Sequence, residues 1–384
     1  PDDGHTHYAY VASDDGPDLA GSLVLLRLNG TDKRVLFKPS ERRAVSGTPL
    51  LTKDFVFWVQ TDTLTPTLWR LDLRRPDAAP QEMPLPKDAQ TVGVMPFDVT
   101  GCEDGAILLA TTGFLSPTEY WLFDQYTETP EYTCLTRATS SFDSQGMDVR
   151  LHMAVSDDGT AVPYHIVLPK NHADMMGDIP ILQHGYGGFG AQASPQYLRD
   201  IGMVWLSRGG AYVQTYIRGG AEFGKAWHIA AKRENRHRSF EDFAAIATDL
   251  VKRGYTRPDK IACRGGSNGG LLCGVMLTRY PERFGAVWAR VGVFDMMRFH
   301  KFISGAAWIE EFGDPDDPAA RAWLLDYSPM HNVVDHATRR YPPALITTND
   351  KDDRVDPSHS RRFAAILEEA MQEVWFHITA GGHG

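Results

Sequence analysis

The chain has 384 residues, 42% hydrophobic and 23% charged, long enough for two domains and too balanced for a disordered or fibrous protein. Asp and Glu outnumber Lys and Arg, 49 against 39, for a formal net charge of −10, which argues against a nucleic-acid partner; the clusters Lys232-Arg233 and Arg236-His237-Arg238 read as solvated faces. No apolar run approaches the ~20 residues that span a bilayer, and Cys102, Cys134, Cys263 and Cys273 show no CxxC or Cys/His spacing, so neither a disulfide framework nor a metal site is expected.

The chain opens on Pro1-Asp2-Asp3-Gly4, without Met or an apolar signal core, and reads as the middle of something longer. Free thiols suit a cytoplasmic enzyme. Residues 1–138 then read as short strands: Tyr8–Ala12, Ser22–Leu28, Arg34–Phe37, Phe55–Gln60, Thr67–Leu73, Gly105–Thr111 and Glu119–Asp124, each rich in β-branched or aromatic residues. Turn signals such as Ser13-Asp14-Asp15-Gly16 and Asn29-Gly30 separate them. Such spacing fits a sandwich, a barrel or propeller blades.

Across 139–384 the rhythm becomes one of strands alternating with helices. Pro163–Leu168, Ile179–Gln183, Ala211–Ile217, Lys260–Arg264, Ala286–Arg290, Ala344–Thr348 and Val374–Ile378 are compact apolar runs, as buried parallel strands are. A helix is predicted from Ser239, with Asp242 completing a capping box, Phe240, Phe243, Ala244, Ala247, Leu250 and Val251 as its apolar stripe, and Gly254 as its stop. The alternation predicts an α/β layer on a mostly parallel sheet.

Between the predicted strand 260–264 and a helical run lies Gly265-Gly266-Ser267-Asn268-Gly269, which matches the nucleophile-elbow pattern in the strand–turn–helix context that pattern needs. Small residues two places either side let the tight turn form, the Ser267 hydroxyl stands above the sheet, and the next N–H and the helix N-terminus favour developing negative charge. The order Ser, acid, His then directs attention to Asp350, Asp352 and Asp353 after the strand 344–348, and to His383 in the glycine loop after 374–378. Spacing leaves the three acids open. A calcium loop is disfavoured, because the Asp-x-Asp-x-Asp-Gly spacing is absent. His300, His331, His359 and His377 lack a comparable context.

Taken together, Gly185-Tyr186-Gly187-Gly188-Phe189, Ile217-Arg218-Gly219-Gly220-Ala221-Glu222-Phe223-Gly224, Gly265–Gly270 and Asp352-Asp353-Arg354-Val355 resemble, in order, the signatures of the prolyl oligopeptidase family; Phe114-Leu115-Ser116-Pro117 resembles a segment late in its propeller. The resemblance implies an α/β-hydrolase catalytic domain (139–384) preceded by an incomplete all-β, propeller-type domain (1–138, roughly the last blades). It implies Ser267 as nucleophile, Asp352 as triad acid, His383 as base, and Tyr186 with the Asn268 N–H as oxyanion donors. Arg354 would hold a substrate carbonyl. Trp308, with Phe189, Val293, Phe312 and Val355, would form a slot for proline, whereas relatives that prefer Arg or Lys carry an acid at the Trp308 position. Glu310 and Glu311 keep that basic preference as an alternative, beside an acyl-peptide or ester hydrolase and a non-catalytic binding protein. His184 departs from the family pattern, standing where an aromatic is usual and close to Tyr186. The implied protein is longer than this chain, a monomer acting on short peptides, and needs no cofactor.

Overall fold

The computed structural model describes residues 7–11, 21–27, 33–98 and 105–383. The predicted turns at 13–16 and 29–30, and Cys102, lie outside them. Two compact units result: Pro1–Asp143 with Ser194–Arg199 and Glu222–Lys225, and Ser144–Ala193 with Asp200–Ala221 and Ala226–Gly384.

The first unit is three antiparallel meanders: β1 (His7–Val11), β2 (Leu23–Arg27) and β3 (Lys33–Phe37); β4 (Arg43–Leu51), β5 (Phe55–Asp62), β6 (Thr65–Asp72) and β7 (Gln81–Met83); and β8 (Thr91–Pro96), β9 (Ala106–Thr112), β10 (Glu119–Asp124) and β11 (Thr133–Arg137). Alternation along β5 explains their stacking. Phe55, Phe57 and Val59 join Leu68, Val92, Ile107, Leu109 and Phe123 in one apolar cluster. Val56 and Trp58, pointing the other way, join Leu23, Leu25, Phe37 and Leu71 in a second. A middle sheet buried on both faces is how propeller blades pack. The strands β4, β7, β8 and β11 were not predicted; β11 leaves all five residues exposed and so carries no apolar alternation to read.

The second unit holds an eight-stranded sheet in the order β12-β13-β15-β14-β16-β17-β18-β19. Its strands are β12 (Asp148–Val155), β13 (Ala161–Leu168), β14 (Ile181–His184), β15 (Ala211–Thr215), β16 (Ile261–Gly266), β17 (Ala286–Arg290), β18 (Ala344–Asn349) and β19 (Val374–Thr379). From β15 through β19 the pairing is parallel. The run 163–168, expected to be parallel, instead lies in β13 and pairs antiparallel with both β12 and β15. The connection from β12 is a tight turn closed by the Ser156 N–H donating to Thr160 O (2.9 Å), and so short a link cannot return a chain in parallel. The strand order reverses between β14 and β16, which makes the carboxyl ends of these strands the place for a ligand crevice.

The helix predicted from Ser239 runs from His237 to Lys252, and Ser239 is not its cap. Its hydroxyl donates to Arg236 O (3.0 Å). Asp242, the expected partner in a capping box, is fully buried and accepts from Arg218 Nη2 (2.6 Å), the Arg218 N–H (3.0 Å) and the Ser156 hydroxyl (2.6 Å). A long-range ion pair has taken the side chain that a local cap would have used. Arg218 is 3% exposed and also reaches Asp158, whose carboxyl is held below the usual range chiefly by that hydrogen bond. Removing one partner strands a buried charge, so Arg218→Met is expected to cost about 3–5 kcal/mol. Calorimetric unfolding of the variant checks this; a loss under ~1 kcal/mol would place the pair with ordinary surface bridges.

Candidate active site

Ser267 joins β16 to the helix Asn268–Arg279 and has φ 57° and ψ −119°. Positive φ is strained for a side-chain-bearing residue, and hydrogen bonds hold it: the Ser267 N–H donates to Arg290 O (3.0 Å), and Ser267 O accepts from the Gly270 (2.9 Å) and Leu271 (3.2 Å) N–H groups. The flanking glycines answer to contact. A Cβ on Gly265 would lie 2.2 Å from Gly269 O, and one on Gly269 would lie 2.5 Å from Gly185 O.

Two strands further along the same sheet edge, the loop after β18 carries Asp352. Its carboxylate is buried, Oδ1 accepts from the Arg354 (3.0 Å) and Val355 (2.9 Å) N–H groups, and both oxygens lie 2.8 Å from His383 Nδ1. Asp350 is exposed and instead accepts from the Gly381 N–H (2.9 Å), while Asn349 Nδ2 donates to Gly382 O, so the acid loop grips the histidine loop. Asp353 is exposed. Among the described residues, three clustered ligand atoms occur only at His300, Asp314 and Asp316, where His300 and Lys301 already pair with Asp316; the Asp350–Asp353 loop makes no such group.

Tyr186 follows β14 across the switch point. Burial raises its phenol pKa; a hydrogen bond shared with Ser267 and the charges of Arg236 and Arg354 act against this, and the net shift is upward. The hydroxyl therefore keeps its proton. His184 is not in this constellation: its Nδ1 lies 3.1 Å from Arg264 O, its ring stacks on Tyr212, and burial lowers it to about 4. His359 is likewise lowered to about 4 by burial and accepts the Asp295 N–H (3.1 Å), and His331 pairs with Ser328.

Val293, Phe312 and Val355 are buried in the main apolar cluster, and half-buried Trp308 packs against it. Phe189, 39% exposed, meets Phe312 edge-on at 5.4 Å. Phe299, not singled out in the sequence, links the two aromatics: it meets Phe312 edge-on at 5.4 Å and stacks on Trp308 at 6.4 Å and 15°. Arg354 is exposed and enters none of the ion pairs found among the described residues. Neither nearby acid is unpaired. Glu310 bridges Lys232 and Arg233 at the surface. Glu311, 4% exposed, bonds His228 Nε2 (2.7 Å), Arg236 Nη1 (3.0 Å) and the Phe189 N–H (2.7 Å). Burial works to raise the Glu311 carboxyl, but His228, the Arg236 charge and the Phe189 N–H hold it below its ordinary value. Arg236, expected on a solvated face, is 1% exposed, because Glu311 compensates its charge there and Asn268 Oδ1 accepts from its Nη2.

This strand order, with a strained elbow at its switch point, defines the second unit as an α/β-hydrolase domain. The model of the prolyl oligopeptidase family of peptidases matches residues 197–384. An uncharacterized peptidase of Sinorhizobium fredii is 35% identical over 350 residues, covering 91% of this chain and 47% of its own length. Prolyl oligopeptidase A of Galerina marginata is 42% identical over 217 residues, 56% of this chain and 29% of that protein. Among solved structures, a post-proline cleaving enzyme from Rickettsia typhi superposes with a TM-score of 0.89 at 30% identity, over 99% of this chain and 56% of that one. The chain belongs to the prolyl oligopeptidase family and spans about half the length of the curated relatives it matches along most of its own. Among the described residues, no helix is long and apolar enough to cross a membrane.

Proposed function

We propose that this chain carries the catalytic apparatus of a serine peptidase that cleaves peptides on the carboxyl side of proline. The observation that carries the reading is the Asp352–His383 pair at 2.8 Å, on the sheet edge that also presents Ser267. His383 takes the Ser267 proton as Oγ attacks the carbonyl carbon of the proline residue. The Asn268 N–H and the Tyr186 hydroxyl receive the oxyanion, and Asp352 steadies the imidazolium. His383 then protonates the departing amine, an acyl-enzyme remains, and water activated by the same histidine releases it.

Specificity follows from the slot. Trp308, Phe299, Phe312 and Phe189 form a chain of aromatics suited to a flat, uncharged pyrrolidine. Both acids that could recruit Arg or Lys are engaged elsewhere, Glu310 with two surface cations and Glu311 with Arg236 and His228. Arg354, exposed and outside those pairs, would hold a substrate backbone carbonyl. Blocked dipeptide substrates with Pro, Ala, Arg or Phe before the scissile bond test this. Proline is expected to be strongly preferred, and Trp308→Ala to lower kcat/KM on it about 10–100-fold through lost apolar contact. Preference for Arg would overturn the proline reading in favour of a basic one, and turnover of simple esters alone would point to an esterase.

A further inference from the structure

Behind the site lies a buried relay that the scheme above does not use. His228 Nε2 and Glu311 Oε2 are 2.7 Å apart; Glu311 Oε1 accepts from the Phe189 N–H (2.7 Å) and from Arg236 Nη1 (3.0 Å). Arg236 Nη2 donates to Asn268 Oδ1 (2.5 Å), and Asn268 Nδ2 donates to Tyr186 O (2.5 Å). Glu311, Arg236 and Asn268 are each 4% exposed or less. We propose that Glu311 and Arg236 are positioning residues that set the two oxyanion donors relative to each other; the inference rests on the assignment of Tyr186 and Asn268 to that role.

The direction of each bond is forced. A guanidinium can only donate, so Arg236 obliges Asn268 to turn its carbonyl oxygen inward. The amide nitrogen is thereby aimed at Tyr186 O, and the residues supplying the phenol and the backbone N–H are tied by one hydrogen bond. Glu311 holds Arg236 in that orientation and at the same time anchors the N–H of Phe189, a non-glycine residue at φ 58°. Arg236 also lies over the Phe312 ring at 5.3 Å. One ion pair thus fixes the loop 185–189, the first residue of the nucleophile helix and the floor of the aromatic slot. Oxyanion donors act through preorganisation, so loosening their mounts should appear in kcat.

The test compares wild type, Glu311→Gln, Arg236→Met and the double variant in the full chain, reading kcat and KM on a blocked prolyl substrate, the fluorophosphonate labelling rate and the thermal midpoint. Each single variant is expected to lose at least tenfold in kcat and in labelling rate, with KM within about threefold, and to melt lower because the remaining buried charge loses its partner in the ion pair. The double variant removes both charges. Its midpoint is expected to recover while its kcat stays at least tenfold down, and it decides the matter should the single variants fail to fold. Wild-type kcat in the double variant would overturn the positioning role, as would losses confined to KM. A wild type that turns over substrate yet resists the label, and keeps its rate in Ser267→Ala, would instead overturn the assignment of Ser267, and the relay's role with it.

Discussion

Ser267→Ala is expected to abolish fluorophosphonate labelling and to lower kcat by about 10⁶-fold, the loss that follows when the nucleophile of a serine triad is removed. The expectation comes from the backbone as much as from the side chain. At φ 57°, Ser267 occupies a conformation that an alanine also has to adopt, held by Arg290 O, Gly270 N–H and Leu271 N–H. None of those bonds involves the hydroxyl. The variant should therefore fold with an unchanged thermal midpoint, and the lost rate reports chemistry alone. Substrate affinity should survive in the variant. Undiminished labelling would remove Ser267 from the mechanism altogether.

Asp352→Asn is expected to lower kcat by about 10⁴-fold with little change in KM. The Arg354 and Val355 N–H groups both donate to Oδ1 and will keep a carbonyl oxygen there in the amide. The new NH₂ must then occupy the Oδ2 position and face His383 Nδ1. An amide donor at that place makes Nδ1 an acceptor and moves the imidazole proton to Nε2, the nitrogen that has to be bare to take the serine proton. The substitution thus changes one tautomer while preserving shape. Asp353→Asn, at an exposed neighbour, serves as the control. A loss under tenfold for Asp352→Asn, or an equal loss at Asp353, would reject the assignment.

Much of the architecture was legible because local patterns agreed with it. Apolar runs separated by an amphipathic helix placed most of the α/β sheet, and glycines around a serine between strand and helix marked the elbow. What escaped was decided by partners distant in sequence. Asp242 looked like a capping residue because Ser239 stands three places before it, yet Arg218 and Ser156 claim it. Arg236 sat in a basic cluster that looked solvated, and only the folded chain brings Glu311 to it from 75 residues away. Phe299 has no motif around it and acquires meaning from lying between Trp308 and Phe312. Spacing could not choose among Asp350, Asp352 and Asp353, because the choice depends on which carboxylate the loop buries. β13 shows the reverse failure: an apolar run says that a strand is covered, not which way its neighbours run.

The crowding around the elbow has a consequence for how such a signature is spelled. At Gly265, Gly269 and Gly270 an added carbon would fall 2.2, 2.5 and 2.5 Å from a backbone oxygen, and backbone has nowhere to retreat. At Gly266 the nearest atom would be 3.7 Å away, an ordinary contact. The letters of Gly-Gly-Ser-Asn-Gly-Gly therefore carry unequal information. Three glycines are dictated by geometry, whereas the one beside the serine is free to drift among small residues, and a pattern that insists on it would discard sequences able to build the same turn.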